Sequence, residues 1–161
     1  MSTSPEIPTE QRIAVFPGSF DPVTIGHVSI VLRALPLFDR IVVAIGENTS
    51  KRYMFPLDQR LDWLKKTFAD MPKVEAISFQ GLTADLCVKL GAQHIVRGLR
   101  NSTDHGHERS IALMNHELRG VETIFLPALP EHAHISSTIV RELMANKADV
   151  TAFVPAAVRI P

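Results

Sequence analysis

Gly18-Ser19-Phe20-Asp21-Pro22-Val23-Thr24-Ile25-Gly26-His27 is the stretch on which the reading of this chain turns. It follows the apolar segment Ile13–Phe16 and precedes the apolar-periodic stretch Val28–Leu37. A short buried strand that breaks at a Pro-Gly turn and resumes as a helix leaves unpaired backbone N–H groups at the break. Such a break is a natural seat for phosphate. His27 at the helix opening and Ser19 on the facing turn put an imidazole and a hydroxyl beside that seat. The pair can hold a phosphoryl group during its transfer. The stretch reads as a nucleotide-handling site.

Working outward, short β-branched runs alternate with helical stretches. Arg12–Phe16, Ile41–Ile45, Val74–Phe79, His94–Arg97 and Glu122–Leu126 are nearly continuous in apolar character, as strands covered on both faces should be. Leu57, Leu61, Leu64 and Phe68 recur at helical spacing, as do Ile111, Met114 and Leu118. Gly91 stops the helix over Ala84–Leu90, Gly120 stops the one ending at Arg119, and Ser136 or Ser137 caps a last helix over Thr138–Ala145. This alternation predicts a single α/β domain over residues 12–161, a Rossmann-like, doubly wound, five-stranded parallel sheet. Residues 1–11, rich in Ser, Thr, Pro and Glu, read as a flexible leader. In such sheets ligands bind outside the carboxyl ends of the strands. The polar segments 17–27, 46–55, 97–108 and 127–137 all follow strands, so they should gather on one edge.

Composition narrows the class. The chain has 161 residues, enough for one well-filled core, and 45% of them are apolar. Lys+Arg and Asp+Glu balance at 17 each, against the strongly basic face that nucleic-acid binding requires. One cysteine, Cys87, excludes an internal disulfide and fits a reducing compartment. No apolar run approaches the length of a membrane span and no signal-peptide pattern opens the chain, so a cytoplasmic protein without a membrane partner is expected.

Four segments carry chemistry. Within Thr24-Ile25-Gly26-His27, Gly26 permits close backbone approach and His27 can donate to a phosphate oxygen whose charge grows in the transition state. In Ser50–Phe55, Lys51 stands just past a strand end, from which an ammonium reaches a phosphate as a point charge. In Arg97-Gly98-Leu99-Arg100, two guanidinium forks flank a glycine and suit two phosphate groups. A structural alternative pairs one of these arginines with Asp104 or Glu108. In Ile135–Arg141, consecutive hydroxyls at a helix start offer a second anion seat. His105 and His107 with Asp104 and Glu108 have weak metal-ligand spacing, so no protein metal site is predicted, and the P-loop G-K-[ST] is absent.

These motifs, in this order, resemble the nucleotidylyltransferase superfamily. With Ser50-Lys51…Met54-Phe55 and Arg97–Arg100 they resemble the bacterial phosphopantetheine adenylyltransferases, from about Arg12 to Pro155. The resemblance implies transfer of the adenylyl group of ATP to 4′-phosphopantetheine with Mg²⁺ present, giving dephospho-coenzyme A and pyrophosphate in coenzyme A biosynthesis. It implies a catalytic role for His27, Lys51 and Arg100. Around ATP it places Ser19, Phe20, His27, Gly98, Leu99, Arg100, Glu108, His132, Ala133, His134, Ile135, Ser136, Ser137 and Thr138. Ser19, Lys51, Thr83 and Arg97 would meet phosphopantetheine. A homohexamer feedback-inhibited by coenzyme A is implied as well. Two departures stand out: His105-Gly106-His107 where the family carries an aromatic and acidic segment, and His132 and His134 where it often holds Trp and Phe. Imidazoles stack on a purine with less apolar area and make the contact sensitive to pH.

Other readings stay open at this level. An adenylyl- or cytidylyltransferase acting on another acceptor, such as nicotinamide mononucleotide, shares the phosphate-gripping motifs. Acceptor choice then rests on Lys51, Arg97 and the Phe79–Leu86 segment, where Leu82, Leu86 and nearby apolar groups suit a pantetheine arm better than a second nucleotide. A degenerate member that senses nucleotide without turnover is a third reading.

Overall fold

The computed structural model describes residues 10–160. Of the expected leader, residues 1–9 lie outside that range; Glu10 and Gln11 are exposed and belong to no helix or strand. Five strands, β1 (Ile13–Gly18), β2 (Arg40–Gly46), β3 (Val74–Phe79), β4 (His94–Leu99) and β5 (Glu122–Pro127), form one parallel sheet in the order β3-β2-β1-β4-β5. Five α-helices connect or follow them: α1 (Ile25–Ala34), α2 (Leu57–Thr67), α3 (Thr83–Leu90), α4 (Ser102–Arg119) and α5 (Ser137–Ala145). The Rossmann-like α/β reading holds.

The period-2 alternation of strand side chains divides the core into two layers. Ala14, Phe16, Ile41, Val43, Ile45 and Val96 pack on one face with Val31 of α1, Trp63 and Leu64 of α2 and Val140 of α5. Ile13, Val15, Val42, Ala44 and Ile95 pack on the other with Leu86 and Cys87 of α3. Each fully buried Val or Ile contributes roughly 1.5–3 kcal/mol. The pantetheine-arm expectation for Leu86 therefore needs correction: it is 7% exposed and belongs to this second layer.

Strand ends differ from the sequence reading in an informative way. Pro17 and Gly18 do not break β1; they pair in register with Ala44 and Ile45 of β2. The missing proline N–H costs nothing there, because β1 pairs with β4 only at Ala14–His94 and Val15–Ile95. Beyond that point β1 and β4 separate, and Arg97 of β4 donates into the gap to the Pro17 carbonyl. Arg97, Gly98 and Leu99, expected to lie at or past the end of β4, pair with Phe125, Leu126 and Pro127. Gly98 lets α1 come close, since a Cβ there would stand 3.0 Å from Cγ1 of Ile30 and force that side chain to shift. The first helix is a turn shorter than its apolar pattern and gives way to a 3-10 turn at Leu35–Leu37, where Pro36 cannot continue an α-helix.

The latter part of the polar segment 97–108 is the start of α4. Asn101 caps it by accepting from the Asp104 N–H at 2.9 Å. The helical Ile111, Met114 and Leu118 are confirmed as helix, yet they stand 43%, 53% and 42% exposed, and α4 buries no residue.

Candidate active site

The separation of β1 and β4 opens a cavity of about 370 Å³ at the carboxyl ends of the strands. This is the switch point of the sheet, where the chain runs to β2 on one side of β1 and to β4 on the other. Four separate segments supply its wall: Ser19, Phe20 and His27 from the β1–α1 connection, Lys51 from β2–α2, Arg97, Gly98, Arg100 and Glu108 from β4 and α4, and His132 with Ile135–Thr138 ahead of and within α5. Thr83 lines an adjoining cavity of about 780 Å³, whose wall shares Ser19, Lys51, Arg97 and Glu108 with the first. Leu99, Ala133 and His134 line neither.

His27 is held by a capping box. The Thr24 N–H donates to its Nδ1 at 2.9 Å, and the His27 N–H donates back to Thr24 Oγ1 at 3.4 Å. A ring nitrogen that accepts an amide proton is unprotonated, so the proton of the neutral imidazole sits on Nε2. Burial first, then the charges of Arg97 and Arg100, push its pKa down to about 4. At neutral pH His27 is thus an uncharged donor of fixed tautomer. Phe20 braces it with ring centroids 4.9 Å apart, and holds a left-handed backbone at φ 46° while 2% exposed. An L-residue there is strained, a condition that gathers at functional loops.

Both arginines of the Arg97–Arg100 segment face the cavity, and both are engaged by α4 carboxylates. Arg97 forms a fork with Glu108, Nε to Oε2 at 2.8 Å and Nη2 to Oε1 at 2.6 Å. Arg100 pairs with Asp104 through Nε at 3.0 Å and Nη2 at 3.2 Å. Because residues 104 and 108 are one helical turn apart, their carboxylates meet residues 100 and 97 side by side. Burial would raise the Asp104 carboxyl, but the hydrogen bonds and charge of Arg100, with Arg97 behind it, hold it below the ordinary carboxylate range. Lys51 makes no ion pair among the described residues. Arg141, which the sequence reading missed, also lines the cavity and donates to the Asp21 carbonyl at 2.7 Å. Four cations and two carboxylates therefore surround this one space in a chain of zero formal net charge.

At the start of α5 one of the expected hydroxyl donors is committed, while Ser136 and Thr138 Oγ1, which accepts from Arg141 at 3.2 Å, keep their O–H protons free. Ser136 caps the helix by accepting from the Ile139 N–H at 3.2 Å, and Ser137 Oγ donates to the Pro22 carbonyl at 2.8 Å. The open donors there are the Ser136 and Thr138 hydroxyls and the backbone N–H groups of Ser137 and Thr138. Among the described residues no group of three or more His, Cys, Asp or Glu side chains could hold a metal ion.

A cytidylyltransferase-like family model matches residues 15–143. The phosphopantetheine adenylyltransferase of Flavobacterium psychrophilum is 52% identical over 92% of this chain and 99% of its own length. The chain belongs to the phosphopantetheine adenylyltransferase family. Members from Christiangramia forsetii and a Nocardioides species are 49% and 47% identical over 91% and 90% of this chain. The fold extends further than the family: a bifunctional NMN adenylyltransferase/ADP ribose pyrophosphatase of Francisella tularensis superposes with a TM-score of 0.71 at 16% identity, over 92% of this chain and 46% of that one. Within the phosphopantetheine adenylyltransferase frame, the residues that sequence reading passed over are Asp21, Arg60 and Arg141. All three bind backbone rather than open solvent.

Proposed function

We propose that this protein joins ATP and 4′-phosphopantetheine into dephospho-coenzyme A with release of pyrophosphate. The observation that carries the reading is the cation-lined cavity that shares the wall residues Ser19, Lys51 and Arg97 with a second cavity. A nucleotide fits the first. A pantetheine arm fits the second, whose wall includes Phe79, Leu82 and Ile111.

An oxygen of the acceptor phosphate attacks the α-phosphorus of ATP, the bond from that phosphorus to the β-phosphate bridging oxygen breaks, and pyrophosphate leaves with the bonding pair. The attacking group is already an anion, so no protein base is needed. Catalysis consists of bringing two mutually repelling anions together and neutralising charge as it shifts. His27 Nε2–H would donate to a non-bridging oxygen of the α-phosphate, and Lys51 would lie between that phosphate and the incoming oxygen. Arg100 and the α5 N-terminus would hold the leaving end. Phosphopantetheine would meet Ser19, Lys51, Thr83 and Arg97. The nucleotide would lie against Phe20, Gly98, Leu99, Arg100 and the segment His132–Thr138, with Glu108 acting through its fork on Arg97.

Mg²⁺ would arrive with the triphosphate. The cavity carboxylates Asp104 and Glu108 are occupied by arginines, so the ion is treated as part of the nucleotide substrate and no protein cage is assigned to it. The exposed apolar residues of α4 support self-association, and a homohexamer would cover them. Coenzyme A carries both the pantetheine and the adenylate of the product, so feedback inhibition would act by filling the same two cavities. Among the described residues no helix is long and apolar enough to cross a membrane; a chain with one cysteine suits a reducing compartment such as the cytoplasm.

A pyrophosphate-release screen tests the reading. ATP with phosphopantetheine should turn over far faster than ATP with nicotinamide mononucleotide or CTP with either acceptor. Preference for the mononucleotide would move the protein to another branch of the superfamily, and no release with any pair would make it a non-catalytic binder.

A further inference from the structure

Arg60 is 3% exposed, yet among the described residues it has no carboxylate partner. Burying a guanidinium without a counter-ion is costly, and such a group is retained where its hydrogen bonds are needed. Nε donates to the Phe55 carbonyl at 3.0 Å, Nη1 donates to the Ser19 carbonyl at 2.7 Å, and the guanidinium lies 4.1 Å from the centroid of the Tyr53 ring. One planar fork thus ties the loop bearing Ser19 to the loop bearing Lys51. Asp21, the one buried carboxylate among the described residues, is engaged on the same seam: its oxygens accept the N–H groups of Met54 and Phe55 at 2.8 and 2.9 Å.

We propose that Arg60 is a positioning residue, fixing the distance between the Ser19 loop and the Lys51 loop so that donor and acceptor phosphates meet at one spacing. Asp21 holds Met54 and Phe55 by their amides while Arg60 holds Phe55 by its carbonyl, so the two act as a single clasp. The inference rests on the adenylyl-transfer reading for its kinetic consequence but not for its structural one. A lysine at position 60 keeps the charge and can reach only one carbonyl at a time, which is why it does not replace a two-pronged arginine.

The test compares Arg60→Lys and Arg60→Met with the unmodified protein, at a temperature where circular dichroism shows each fully folded. Arg60→Lys should lower kcat by at least ~10-fold and raise KM for phosphopantetheine, since an ångström of misplacement costs up to about 10²-fold. Combination with Asp21→Asn should lose less than the product of the single losses. Amide exchange at Met54 and Phe55 should quicken in both Arg60 variants, a readout that needs no turnover. If Arg60→Met does not fold, Arg60→Lys decides. Folded Arg60→Lys with unchanged kcat, KM and exchange overturns the inference. Quickened exchange in a protein that transfers no adenylyl group would leave the clasp standing and remove the reading above.

Discussion

Thr24 and His27 cap one another: the Thr24 N–H donates to Nδ1 of His27 and the His27 N–H donates to Thr24 Oγ1. One residue pair thereby closes the first turn of α1 and sets the imidazole tautomer. The structural and the chemical duties can be separated, because Gln at the third helical position also completes a capping box. His27→Gln should keep the melting temperature near that of the parent, while His27→Ala should lower it through loss of a cap interaction of ~1 kcal/mol. Both should lose about 10²–10³-fold in kcat with little change in ATP affinity, as for a donor acting in the transition state. Steady-state kinetics beside thermal melts would check this. Normal turnover in either variant would remove His27 from the mechanism.

The depressed His27 pKa gives a pH signature. The imidazole takes up a proton near pH 6.5 when the chain is unfolded and only near pH 4 when folded. Between those values the unfolded state binds more protons, so this contribution to stability is complete above about pH 7 and is lost as pH falls toward 4. Its size is at most about 3 kcal/mol. Denaturant melts from pH 7 to 4.5 should show a steeper decline in the parent than in His27→Gln. An NMR titration of the ring should give a midpoint near 4, rising when a nucleotide offsets the charges of Arg97 and Arg100. A midpoint near 6.5 in the free protein would refute the half-buried neutral donor.

Glu108 faces the cavity but spends its carboxylate on Arg97. Glu108→Gln should therefore act through the acceptor side, raising KM for phosphopantetheine more than KM for ATP. It should also cost about 1–3 kcal/mol of stability by leaving a charged partner under-satisfied. A rise confined to KM for ATP would instead support the direct nucleotide contact that the family resemblance suggests.

A side chain at Gly18 would crowd Phe20. A Cβ would stand 3.0 Å from Cε2 of Phe20, a ring 2% exposed and edge-on to His27. Gly18→Ala should cost about 1–3 kcal/mol through overpacking and push the ring toward the imidazole. More than a tenfold fall in kcat is expected. A variant matching the parent in melting and turnover would show that the Phe20 brace is dispensable.

Much of this was legible in the chain itself, for local reasons. Val74–Phe79 and Ile41–Ile45 announce themselves as strands because a sheet covered on both faces demands continuous apolar runs. Glycine stops at residues 91 and 120 fall where left-handed caps occur, at φ 67° and 68°. What sequence misplaced depends on partners far along the chain. Pro17-Gly18 and Gly98 look like terminators, yet pairing with β2 and β5 carries the strands through them. The polar run after Asn101 does not show by itself where α4 begins, although an Asn cap followed by acidic residues one turn apart marks that start. Arg60 resembles any solvated helical arginine until β1 brings the Ser19 carbonyl to it from 41 residues away. The meeting of Lys51, Arg97 and Arg100 follows from strand order, which local propensity does not encode.

Formation of a pyrophosphate bridge between adenylate and pantetheine at one cavity, assembled from loops distant in sequence, can be read directly by mass spectrometry. Purified protein supplied with ATP, 4′-phosphopantetheine and magnesium should yield dephospho-coenzyme A and pyrophosphate in equal amounts. Unchanged substrates, or nucleotide hydrolysed without coupling to the acceptor, would contradict the account.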